Sequence, residues 1–141
     1  MKTVPILFSF DNNMLMPAVV CLTSLMENAS QDTFYDIFIL HRPDIDFRGS
    51  AIGQIAAEYP NCRITYRSVG QDFANAYEVR GISVETYYRL LAPELIPEFD
   101  KILYSDVDVV FREDLAKYYD IELGDSYLAG VDNGSALRPD V

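Results

Sequence analysis

The feature that most constrains this chain is a succession of short, unbroken apolar runs, each closed by polar or turn-forming residues. They lie at residues 4–10 (VPILFSF), 36–40 (DIFIL), 62–66 (CRITY) and 101–105 (KILYS). Runs of this length without polar alternation are what strands buried on both faces look like. Between them the patterning changes to that of helices. Residues 14–29 carry Pro17 where a first turn tolerates it, and Val20, Ser24 and Leu25 with Glu27 and Asn28 divide the segment into an apolar and a polar side. Residues 51–59 read as a second helix, closed by Pro60 and Asn61, and residues 84–91 as a third that carries Tyr87, Tyr88 and Arg89. Shorter elements are predicted at 109–111 (strand), 114–119 (a turn of helix) and 127–131 (a last strand). The loop 69–81, with Gly70 and Gly81 as breakers, is the least regular part. Strands alternating with helices predict an open, mostly parallel α/β sheet of Rossmann-like type, flanked by helices. We expect residues 1–141 to form part of a single such domain. The turn-rich stretch 133–141 follows the last predicted strand directly, and closing the crevice of such a sheet takes further chain; we therefore expect a C-terminally truncated piece of a longer protein.

Charge narrows the ligands. The 141 residues are 50% hydrophobic, enough for a buried core, yet carry a formal net charge of -11. Nucleic acid, whose phosphates need a basic face, is excluded as a partner class. An anionic ligand would need a local cation, and carboxylates could hold a divalent one. Cys21 and Cys62 match no zinc spacing and read as buried free thiols of a reducing compartment. The apolar run near the N-terminus is short and ends in Asp and Asn, unlike a signal peptide. No segment approaches the length of a membrane span, so the expected location is cytoplasmic.

The sharpest local feature is Asp106-Val107-Asp108, set between apolar residues at the end of the fourth predicted strand. Two carboxylates in such surroundings are costly unless neutralised. Beyond the carboxyl end of a parallel strand they would face the ligand crevice, and a hard divalent ion would suit them. Alternation predicts that Asp106 and Asp108 face one way with Val107 packed behind. At the end of the first strand, Asp11 and Asn13 offer groups suited to a base edge or a ribose hydroxyl; equally, either one caps the next helix. Arg89, in an apolar helix, is either a fork donor to an anion or a residue whose stem covers apolar surface. His41 reads as an ordinary strand-end histidine.

The run 83–111 (SVETYYRLLAPELIPEFDKILYSDVDVVF) resembles the central signature of glycosyltransferase family 8: a tyrosine-arginine helix, a spacer, and a strand ending in a DxD motif. The opening strand with Asp11 and Asn13, and the Gly124-Asp125 pair after the motif, are similar to that family as well. The resemblance implies a GT-A fold, retention of anomeric configuration, and a UDP-sugar donor such as UDP-glucose or UDP-galactose. It implies Mn2+ (or Mg2+) held by Asp106 and Asp108, with Asp106 also reaching the donor's ribose or sugar. Asp11 and Asn13, with the backbone at Ser9, would contact uridine; Arg89 would contact the donor sugar region and orient Asp106. The implied acceptor is a glycan, as in lipopolysaccharide galactosyl- and glucosyltransferases, with peripheral membrane contact through a further C-terminal region. No catalytic residue is assigned. The chain departs from the family pattern in three ways. Met14 stands where an aromatic often stacks on uracil, Gly81 where a histidine often precedes the helix, and the family's late histidine ligand, in a motif with tryptophan, has no counterpart, since Trp is absent and His41 does not match. Two other readings remain: a fragment that binds UDP or metal without catalysis, and a haloacid-dehalogenase-like phosphatase in which Asp106 attacks phosphorus. The second lacks the motif's usual place near the start of its chain, and Lys117 is its only following lysine.

Overall fold

Along β1 (Lys2–Ser9) side chains alternate between two cores: Val4, Ile6 and Phe8 enter one, and Leu7 enters the other. β2 (Thr33–His41) repeats the division, with Tyr35, Ile37 and Ile39 on the first side and Phe38 and Leu40 on the second. A strand sealed on both faces has no room for polar alternation, which is why these runs are apolar throughout. Each fully buried Leu, Ile or Phe contributes about 1.5–3 kcal/mol relative to exposure. The computed structural model describes residues 1–70 and 83–131. With β3 (Cys62–Ser68) and β4 (Leu103–Tyr104), all pairings are parallel and the strand order is β3-β2-β1-β4.

The first core is covered by α1 (Leu15–Glu27), α2 (Ala51–Glu58) and the single turn α5 (Ala116–Tyr119). The second is covered by α3 (Glu85–Tyr88), a 3-10 turn (Arg89–Leu91) and α4 (Ala92–Leu95). Both local signals for α2 are used: Ser50 caps it by accepting from the Ile52 amide, and Gly53 lies where a Cβ would come within 2.2 Å of the Arg48 carbonyl oxygen. The chain thus belongs to the α/β class with helices on both faces of a parallel sheet, as the alternation predicts.

One charge sits inside the sheet. Asp36, 1% exposed in β2, is paired in register with Arg63 of β3. The guanidinium donates twice, Nε to Oδ1 at 3.0 Å and NH2 to Oδ2 at 2.5 Å. The fork satisfies the carboxylate while the Arg63 side chain itself stays largely in water.

Several expected elements differ. The strand predicted at 101–105 narrows to two residues, because the acid-rich sequence after Tyr104 leaves the sheet at once. Residues 109–111 form no strand; their backbone bonds to α1 instead. Residues 127–131 are irregular, with Tyr127, Leu128 and Val131 almost fully exposed; apolar character without a neighbouring strand to pair with makes no sheet. The helix predicted at 84–91 is one α turn running into a 3-10 turn, with Pro93 opening the next. His41 ends β2, 5% exposed, its Nδ1 2.8 Å from the Arg42 carbonyl oxygen. Cys21 and Cys62 are buried free thiols. The expected loop beyond Gly70, including Gly81, and the terminal stretch 133–141 lie outside the described residues. Among those described, no helix is long and apolar enough to cross a membrane.

Candidate functional site

The strand order carries the first clue. From β1 the chain builds outward through β2 and β3, then returns to β4 on the other side of β1. Such a reversal opens a crevice at the carboxyl ends of the two strands flanking it. Leu7 pairs with Tyr104, and the Ser105 amide donates to the Leu7 carbonyl at 3.2 Å. Two residues further along each strand stand Ser9 and Asp106, so the acidic turn begins beside the end of β1.

At this turn Val107 is 4% exposed and packs into the first core, while Asp106 and Asp108 on either side of it are exposed. The expected arrangement, valine behind and carboxylates in front, is present without a strand to enforce it. Asp106 is oriented by a neighbour that the sequence reading passed over: Tyr104 Oη donates to Asp106 Oδ1 at 2.7 Å. The Arg89 guanidinium in turn lies 5.2 Å from the centre of the Tyr104 ring. Burial pushes the Tyr104 hydroxyl up to about 12, and its bond to the Asp106 carboxylate adds to the rise. It therefore remains a donor throughout the physiological range. Arg89 thus reaches Asp106 through a tyrosine rather than directly. The available signal was position, since residues two apart on a strand share a face.

Asp11 and Asn13 form a local unit. Asp11 Oδ1 accepts from the Asn13 amide at 2.9 Å and Oδ2 from Asn13 Nδ2 at 3.0 Å, capping the 3-10 turn Asn12–Met14. The capping reading therefore describes Asp11 in this structure. Met14 is half-buried against the first core. Ser9 Oγ donates to the Glu85 carbonyl at 2.9 Å, tying the end of β1 to the start of the tyrosine-arginine segment. Glu85 itself is 3% exposed, with Oε1 3.3 Å from Arg42 Nε just past β2. Nothing in its sequence context marked Glu85 as buried. The structure thus joins Arg89, Tyr104 and Asp106, joins Asp11 with Asn13, and joins Ser9 with Glu85. No hydrogen bond or ion pair among the described residues joins the Asp11 group to the acidic turn.

Among the described residues no three His, Cys, Asp or Glu side chains come together as a ready-made metal cage. Two adjacent exposed carboxylates fit a different mode. Hard cations such as Mg2+ are commonly bound by one or two carboxylates, with waters and a ligand's phosphate oxygens completing the shell.

An open parallel sheet with an acid pair at its switch point is the layout of the GT-A class of sugar-transferring proteins, and solved members share it. The galactosyltransferase LgtC, solved with donor and acceptor sugar analogues, is 32% identical with a TM-score of 0.68, covering 86% of this chain and 44% of its own. The bifunctional glycosyltransferase WbbM is 26% identical with a TM-score of 0.70, covering 87% of this chain and 22% of its own. A curated relative from Haemophilus influenzae, whose assignment as a glycosyltransferase is itself provisional, is 27% identical over 130 residues, 91% of this chain and 38% of that protein. The family profile for Glycosyl transferase family 8 matches residues 5–138, and the chain belongs to that family. The chain spans less than half the length of these relatives. Membership leaves the phosphatase reading without support.

Proposed function

We propose that the chain is the donor-binding part of a metal-dependent glycosyltransferase that moves a hexose from a UDP-sugar, such as UDP-glucose or UDP-galactose, to a hydroxyl of a glycan acceptor, with retention. The observation that carries this reading is the acid pair at the sheet's switch point, tied through Tyr104 to Arg89, in a chain of family 8. In this reading Asp106 and Asp108 hold Mn2+ or Mg2+ against the donor diphosphate. The cation would supply charge neutralisation for the departing UDP and orient its phosphates. The chain's own residues do the positioning. Tyr104 fixes one Asp106 oxygen and leaves the other for ligand or metal. Arg89, exposed beside it, offers a cationic fork to the donor. Asp11, Asn13 and the backbone at Ser9 contact the uridine. Met14 offers a thioether where an aromatic ring would give a broader stack. The location follows as cytoplasmic, with membrane contact confined to parts of the protein beyond this chain.

The test is binding of UDP to the full chain with and without Mn2+, for wild type and Asp108→Asn. We expect Mn2+-dependent binding that the substitution abolishes while the ligand-free melting temperature stays unchanged. UDP affinity indifferent to Mn2+, or intact in Asp108→Asn, overturns the reading.

A further inference from the structure

The acidic turn poses a positioning problem that its own backbone does not solve. β4 ends at Tyr104, and among the described residues no backbone–backbone bond reaches residues 106–111. A segment outside the ladder has its orphan amides and carbonyls satisfied elsewhere or left to water. Here they are met by side chains of one helix. The Val109 amide donates to Cys21 Sγ, and the Cys21 thiol lies 3.9 Å from the Asp106 carbonyl oxygen. The Phe111 amide donates to Ser24 Oγ at 2.9 Å, and that hydroxyl donates onward to the Cys21 carbonyl at 2.7 Å. Asn28 Nδ2 donates to the Phe111 carbonyl at 3.1 Å and to the Ser24 carbonyl at 2.9 Å. Positions 21, 24 and 28 fall on one face of a helix, and Val107 is seated in the core between the two acids.

We propose that Cys21, Ser24 and Asn28 of α1 are positioning residues that hold the backbone on both sides of Val107 and so set the separation and direction of the Asp106 and Asp108 carboxylates for a divalent cation. The inference rests on the metal-binding reading above. A cation held by two carboxylates gains affinity only if both oxygens are already placed. Loosening the strap lowers metal affinity while leaving contacts to the nucleoside, on the far strand, as they are. Ser24 carries the most, because its one hydroxyl both accepts from the turn and donates within the helix.

The experiment is titration of Mn2+ into the full chain at fixed UDP, followed by electron paramagnetic resonance, for wild type, Ser24→Ala, Ser24→Thr and Asn28→Ala. Metal-free UDP binding, ligand-free melting and amide exchange at Val109 and Phe111 are measured alongside. Loss of one such bond should weaken Mn2+ binding about 3- to 10-fold in Ser24→Ala and speed exchange at Phe111. Metal-free UDP affinity should not change, and Ser24→Thr, which keeps the hydroxyl, should return Mn2+ binding to within about twofold. Should Ser24→Ala fail to fold, Asn28→Ala, at an exposed site, must show the same selective loss. A merely structural role would lower melting and weaken both ligands together, and that result overturns the proposal. So does faster exchange at Phe111 with wild-type Mn2+ affinity. If wild type itself shows no Mn2+-dependent UDP binding, the functional reading fails and this inference falls with it; intact binding in wild type and unchanged binding in the variants sinks the inference alone.

Discussion

Replacing Tyr104 by Phe removes one oxygen atom and leaves the ring in place, so its consequences can be assigned to a single bond. That oxygen donates to Asp106 Oδ1 at 2.7 Å, a short bond to an ionised group. Hydrogen bonds to charged partners are worth about 1.5–3 kcal/mol. Asp106 is exposed, so water can replace the donor and the lower side of that range, about 1 kcal/mol, is the better figure. Since 1.4 kcal/mol is tenfold, the variant should bind Mn2+·UDP about five times more weakly. Stability should hardly move: the ring keeps its packing in the second core and its contact with Arg89, and such a change stays within about 0.5 kcal/mol. The assay is calorimetric titration of Mn2+·UDP beside a ligand-free thermal melt. A melting temperature that drops while affinity is unchanged would refute the argument, because it would make the hydroxyl a fold determinant rather than an aligner of Asp106. A double-mutant cycle with Arg89→Ala should reveal coupling of about 0.5–1 kcal/mol in binding if the guanidinium acts through the ring.

Two further outcomes are expected of the scaffold. Arg63→Ala strips the forked donor from Asp36, which stays buried in the middle of the sheet; we expect a loss of about 2 kcal/mol in urea unfolding, below the 3–5 of a fully enclosed pair because water reaches the Arg63 side. A loss under about 0.5 kcal/mol would mean the pair is solvated despite its burial. Asp114 accepts from the Ser30 amide, the Ala116 amide and the Tyr35 hydroxyl. Burial alone would raise its carboxyl, but those bonds outweigh it and hold the group below its ordinary value. A carboxyl depressed in the folded state stabilises above its unfolded pKa, about 3.9, and that share is lost as pH falls through the folded value. Asp114→Asn should therefore be about 1 kcal/mol less stable at neutral pH and show a flatter stability profile below pH about 4; parallel profiles for the two proteins would contradict the assignment.

The sequence by itself determined the architecture. Residues 4–10 and 36–40 admit only strands sealed on both faces, so a parallel sheet with helices on each side follows from their unbroken apolarity. The likeness of residues 83–111 to family 8 placed Asp106, Asp108 and Arg89 in one functional group. Buried elements are legible because hydrophobic periodicity is a local property of the chain. Tertiary structure decided what depends on partners distant in sequence. Residues 109–111 and 127–131 have strand-like composition, but a strand exists only beside another strand: the first segment is claimed by Ser24 and Asn28, and the second has no neighbour. The Tyr104 bridge from Arg89 to Asp106, the burial of Glu85 and the strap from α1 are likewise contacts between segments 15 or more residues apart, or between side chains whose direction only the fold sets. A pattern of residue types records which face of an element is buried; it does not record which atom of a remote element comes within hydrogen-bonding distance.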